Sequence, residues 1–169
     1  MRKSMIFTLV VVIGFCFAGF ALSDQKSVSA EKKQVTKFSG DSNLIEGGSK
    51  GTTTSLPNGQ KVIRGRSSKY FDKATDPRVT GVSFWYVDAI ANEDGSMKYW
   101  GTAELIVDNN GGKWEMTWSG EKSSDGGAIA HVLGTGKEGA VKGLDAKWTY
   151  IRKPGEGRFY RTEGIIIGP

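Results

Sequence analysis

Between Tyr99 and Gly136 the chain sets three of its five tryptophans in stretches that alternate in period two between glycine-rich turns. In Lys113–Ser119, Trp114, Met116 and Trp118 share one face, while Glu115, Thr117 and Ser119 share the other. That spacing is the pattern of a half-buried antiparallel strand, because successive side chains of a strand point to opposite sides of the sheet. Ala103–Val107 leads into this block through Asp108-Asn109-Asn110-Gly111-Gly112, a turn by composition.

The same rhythm extends in both directions. In Val79–Ala89, Val79, Gly81, Ser83, Trp85 and Val87 alternate with Thr80, Val82, Phe84, Tyr86 and Asp88, so both faces are substantially apolar. Asp94-Gly95 marks a hairpin turn that returns the chain as Lys98–Val107. Beyond Trp118, Ser123–Gly127 turns into Ala128–Gly134, with Ala128, Ala130 and Val132 opposite Ile129, His131 and Leu133. Leu144–Arg152 alternates Leu144, Ala146, Trp148 and Tyr150 against Asp145, Lys147, Thr149 and Ile151, and Arg158–Ile167 closes the chain.

The N-terminal half is harder to read. Val35–Phe38 and Asn43–Glu46 read as two short strands separated by Gly40-Asp41, followed by a loose stretch, Gly47–Ser55. Leu56–Gln60 holds the Pro and Asn-Gly signals of a turn, and Lys61–Arg66 reads as a strand. Ser67–Arg78 is mostly polar and reads as a long connection with Tyr70 and Phe71 tucked against the body and room for one helical turn.

Seven to nine strands with no convincing helix must hide two edges and a large apolar face. Short hairpin links and glycines beside large rings (Gly101 after Trp100, Gly120 after Trp118) favour a single antiparallel β-barrel of about eight strands; a β-sandwich is the alternative. The Trp114-Met116-Trp118 face is then the interior.

The chain has 169 residues, and the first thirty are read apart from the rest. A basic start at Arg2-Lys3, an apolar run over 5–22 and small residues after it form an export signal, with cleavage after Ser23 or, slightly favoured although the apolar run ends early for it, after Ala30. Residues 1–30 are therefore signal and leader, residues 31–169 a single domain, and the setting secreted or periplasmic. The sole cysteine, Cys16, lies within that leader behind a bulky Phe15, so neither a disulfide nor a thiolate site is expected in the mature protein. Basic and acidic residues number 23 and 18 overall, and losing the leader lowers the excess to about +3. They are interspersed with no polybasic run, which gives no basis for nucleic-acid binding or for a membrane role after signal removal.

Few residues point to chemistry. His131 is the only histidine, so no zinc site of several imidazoles can form, and no metal or cofactor is expected. Gly134-Thr135-Gly136-Lys137 lacks the spacing and following helix of a phosphate loop. The aromatic residues are the best signal. Trp85, Trp114, Met116, Trp118, His131 and Trp148 are the candidate ligand-lining residues if the barrel encloses a cavity. Glu115 is expected outside if the tryptophans are inside.

Arg64-Gly65-Arg66, Asp76–Gly81, Asp94-Gly95-Ser96 leading to Trp100-Gly101-Thr102, Gly112–Glu115, Trp118-Ser119-Gly120, Gly134-Thr135-Gly136 and Lys142-Gly143-Leu144 resemble a group of small secreted bacterial proteins with allene oxide cyclase-like or lipocalin-like barrels. The resemblance spans roughly two thirds of the chain and rests on turn glycines and packing tryptophans. It implies an eight-stranded barrel whose lumen accepts a hydrophobic molecule. Three functions follow as expectations. One is a secreted barrel binding a small hydrophobic ligand. Another is an isomerase or cyclase with His131, Glu115 or Glu104 moving a proton. The third is a structural or interaction module without a ligand.

Overall fold

The computed structural model describes residues 33–169, and the export leader read in residues 1–30 lies outside them. Among the described residues there are nine strands: β1 (Gln34–Gly47), β2 (Thr52–Ser55), β3 (Lys61–Ala74), β4 (Gly81–Ala91), β5 (Met97–Val107), β6 (Gly112–Lys122), β7 (Ala128–Glu138), β8 (Asp145–Arg152) and β9 (Phe159–Gly168). Every pairing is antiparallel. From β3 to β9 each strand pairs with its successor, and β1 pairs with β9 over Gln34–Asn43 and with β3 over Gly40–Gly47. Eight strands thus close into a barrel, which removes the exposed edges an open sheet would carry and excludes the sandwich. Strand β2 is the extra one, pairing only with the opening residues of β3 (Thr52 opposite Arg64).

Three sequence expectations are corrected. The stretch Gly47–Ser55, read as loose, contains strand β2. Val35–Phe38 and Asn43–Glu46 are not separate strands: β1 runs through Gly40, whose missing side chain lets the chain pass close to the Lys73 carbonyl of β3. Nor is Ser67–Arg78 a connection. Strand β3 continues to Ala74 because a bulge at Gly65, in the left-handed region at φ 64°, re-aims the strand after Ile63. The bulge is fastened by Asp88, which accepts a hydrogen bond from the Gly65 amide at 2.9 Å and another from Arg64 at 2.7 Å. Beyond it Arg66, Ser68, Tyr70 and Asp72 all fall on one side of the strand, and only the single turn Pro77–Val79 is helical.

Hairpin links at one end of the barrel are residues 75–80, 108–111 and 139–144, and at the other 48–60, 92–96, 123–127 and 153–158. The first end is closed. Its turns Pro77–Val79 and Gly139–Val141 lay Val79 and Val141 over a packed interior of Phe38, Leu105, Val107, Trp114, Met116, Val132, Ala146, Trp148 and Ile166. Trp114 is fully buried there, and its indole N–H donates to the Arg78 carbonyl at 2.7 Å, tying plug to wall. Trp148 meets Phe38 and Trp114 edge to face at 6.0 and 6.1 Å, a geometry that the ring quadrupoles favour.

Candidate functional site: the open half of the barrel

The second end is a mouth. Each strand brings its inward-facing residues to it in layers, and at one level the rings of Tyr70, Trp85, Tyr99, Trp118, Tyr150 and Tyr160 form the wall. They touch one another around the barrel. Trp85 meets Trp118 and Tyr150 at 5.0 Å, Tyr99 meets Trp118 at 5.5 Å, and Tyr160 meets Tyr70 at 5.9 Å and Tyr150 at 6.3 Å. The indole N–H groups of Trp85 and Trp118 are used within the wall, donating to Ser83 Oγ and to the Thr102 carbonyl. The two indoles therefore offer apolar surface inward, and the tyrosine hydroxyls of the wall add polar points, that of Tyr99 being engaged with the Glu121 and Ile129 carbonyls.

Above them the wall leaves a cavity of about 300 Å³, opening outward. That lies at the lower end of the range for small-molecule sites. Ser42, Leu44, Ser68, Val87, Met97 and Ala130 complete its sides, and its rim carries Arg66, Lys122, Arg152 and Arg158. Burial and the neighbouring Tyr160 phenol push the Tyr70 hydroxyl up to about 12, so it remains a neutral donor and acceptor at physiological pH. Burial likewise raises Tyr99 and Tyr150.

A group of polar side chains adjoins the cage on one side of the barrel. The five adjacent strands β4, β3, β1, β9 and β8 contribute Ser83, Asp72, Ser42, Thr162 and Tyr150. Ser42 is the direct cross-strand partner of Asp72, and Thr162 that of Tyr150. Asp72 is 2% exposed. The nearby Ser42, Ser83 and Tyr150 hydroxyls favour its ionised form, but burial outweighs them and pushes the carboxyl up to about 6. No well-aligned hydrogen bond reaches either carboxyl oxygen, Ser42 Oγ or Thr162 Oγ1. Buried polar atoms are usually paired, and their pairing here is incomplete.

The candidates read from the sequence separate by depth. Trp85 and Trp118 wall the cavity. Trp114, Met116 and Trp148 belong to the packed closed half. His131 points outward, exposed, with Nδ1 3.4 Å from Thr149 Oγ1. Glu104 and Glu115 are also on the outer surface, where Lys113 Nζ lies 4.0 and 3.6 Å from them, so none of the three faces the lumen. Among the described residues no three His, Cys, Asp or Glu side chains gather as metal ligands would. The aromatic rhythm found Trp85 and Trp118 among the cavity's six rings and set Tyr99 and Tyr150 in its alternating strands. It missed Tyr70, Tyr160 and Asp72, the first and last because they lie in the stretch read as a connection. A cross-strand pairing of β3 with β1 would have been the signal, and a bulge conceals it.

No family model and no curated protein matches this chain.

Proposed function

We propose that the protein binds one small molecule with an apolar, ring-shaped body in the open half of its barrel. The observation that carries this reading is the unfilled, outward-opening cavity of about 300 Å³ walled by six aromatic rings, in a barrel whose other half is packed solid. An eight-stranded barrel is narrow enough for side chains to fill its interior completely, so space left at one end is a feature in itself. Export, read from residues 1–30, fits a carrier or scavenger working outside the cytoplasm. A resemblance to allene oxide cyclase-like and lipocalin-like barrels points the same way.

Catalysis is the second reading, and Asp72 is the one observation in its favour. A carboxyl held near neutral pKa suits proton transfer, but this one is almost without exposure. A molecule in the cavity meets Ser42 and Tyr150 before it meets Asp72, so binding without chemistry is the function proposed. Native mass spectrometry of the protein purified from its own host tests it. The expected spectrum contains a second species, heavier by the mass of one small molecule and stripped by collisional activation. Ser68→Trp, which places an indole in the cavity from its rim, should lose that species. A bare chain in the wild-type spectrum would count against the proposal.

A further inference from the structure

We infer that the ligand is an anion: a flat body of about two fused rings carrying a single carboxylate, which sits at the rim against Arg66 and Arg158. This rests on the cavity reading above and deepens it. Size sets the body. An apolar cavity of about 150 Å³ holds one benzene ring, so about 300 Å³ accommodates two. The wall favours a ring-shaped body, because aromatic side chains packed against one another at 5.0–6.3 Å offer a guest ring the same stacked and edge-to-face contacts that they make among themselves.

Charge sets the head group. The cavity lining includes Arg66, Lys122, Arg152 and Arg158 and no carboxylate. The three described arginines outside the cavity lining each reach a carboxylate: Arg64 pairs with Asp88, Arg78 with Asp76 and Arg161 with Glu156. None of the four at the rim has a carboxylate within ion-pair distance among the described residues. Two of them are held in place by backbone carbonyls. Arg152 donates to Gly126 and Gly157 at 3.0 Å each while its guanidinium lies over the Tyr160 ring at 5.2 Å, and Lys122 donates to Gly95 at 3.1 Å. These fix a positive field at the mouth. Arg66 and Arg158 are left with free planar forks, the geometry that matches a carboxylate bidentately. Four cations lining one cavity that has no carboxylate in its wall repel one another, and an anionic guest relieves that repulsion.

Isothermal titration calorimetry with three probes of one shape tests the assignment: 2-naphthoate, 2-naphthamide and 2-naphthylmethylammonium. The expected order places naphthoate about tenfold or more tighter than the amide, with the ammonium weakest, and the advantage shrinking as salt rises. Arg66→Gln with Arg158→Gln, both at exposed positions that leave the wall untouched, should bring naphthoate down to the affinity of the amide. Lys147→Gln, on the outer surface, should leave naphthoate unaffected. Equal affinities for the three probes, or a preference for the ammonium, would overturn the anion assignment while leaving the cavity reading intact. If none of the three bound, the cavity reading would fall as well.

Discussion

Asp72 is the residue at which this barrel gives up stability. Its carboxyl lies opposite Ser42, buried at 2% exposure, where the Ser42, Ser83 and Tyr150 hydroxyls beside it do not make up for the water that its charged form loses. Burial raises the carboxyl from 3.8 to about 6, and the sign of the consequence follows from which state holds the proton. Below about pH 4 both folded and unfolded chains are protonated here and the group costs nothing through ionisation. As pH rises toward 6 the unfolded chain releases its proton while the folded one keeps it, so stability falls, and it levels off above 6 at a loss of about 3 kcal/mol. Asp72→Asn keeps the shape and removes the charge. In urea titrations it should unfold at nearly the wild-type concentration at pH 4 and at a clearly higher one at pH 7.5, with the decline between pH 4 and 6 gone. An unchanged pH profile in the variant would mean that the carboxyl ionises freely where it sits.

At the scale of the strand, legibility follows what each strand faces. Strands β6, β7 and β8 turn Trp114, Trp118, Val132 and Trp148 into the lumen and leave Glu115, His131 and Lys147 outside, so the alternation is plain in the sequence. Strands β1 and β3 turn Gly40, Ser42, Ser68 and Asp72 toward the interior instead, and inward polar residues erase the pattern. The bulge at Gly65 shifts what remains by one position. The elements hardest to read are thus those that build the polar layer beside the cavity, because the residues that depart from core chemistry are the ones that give the site its character. Glycine has a different use in β7. A side chain at Gly134 would come within 2.9 Å of the Trp148 ring and 3.4 Å of Trp114, so its absence is what lets two indoles meet across the strand. Gly134→Val should cost about 2 kcal/mol in denaturant unfolding through overpacking. The neighbouring Thr135→Val, on the exposed face, should stay within about 0.5 kcal/mol of wild type.

Taken as a whole, the barrel divides its length between two tasks. The closed half concentrates the fully buried Trp114, Leu105, Val132, Val141 and Ile166, and the open half holds the cavity, the polar layer and the rim cations. The closing seam runs through both, since β1 meets β9 toward the closed end and β3 toward the mouth. Phe38, 5% exposed against Trp148, locks its lower part, and opening the seam there would bring the packed interior into water. Burying that apolar surface is the main favourable term for the fold, so seam and core should open together. Strand β2 has no such anchor, with Thr52–Ser55 exposed throughout and bonded along one side only. Native-state hydrogen exchange should therefore find amides of Thr36–Phe38 protected in one group with those of Trp114–Trp118, while amides of Thr52–Ser55 exchange orders of magnitude sooner. If Phe38 exchanged with the β2 amides, the barrel would be a sheet that opens at β1 well below global unfolding. On the binding function proposed, a guest could then enter from the side as well as through the mouth.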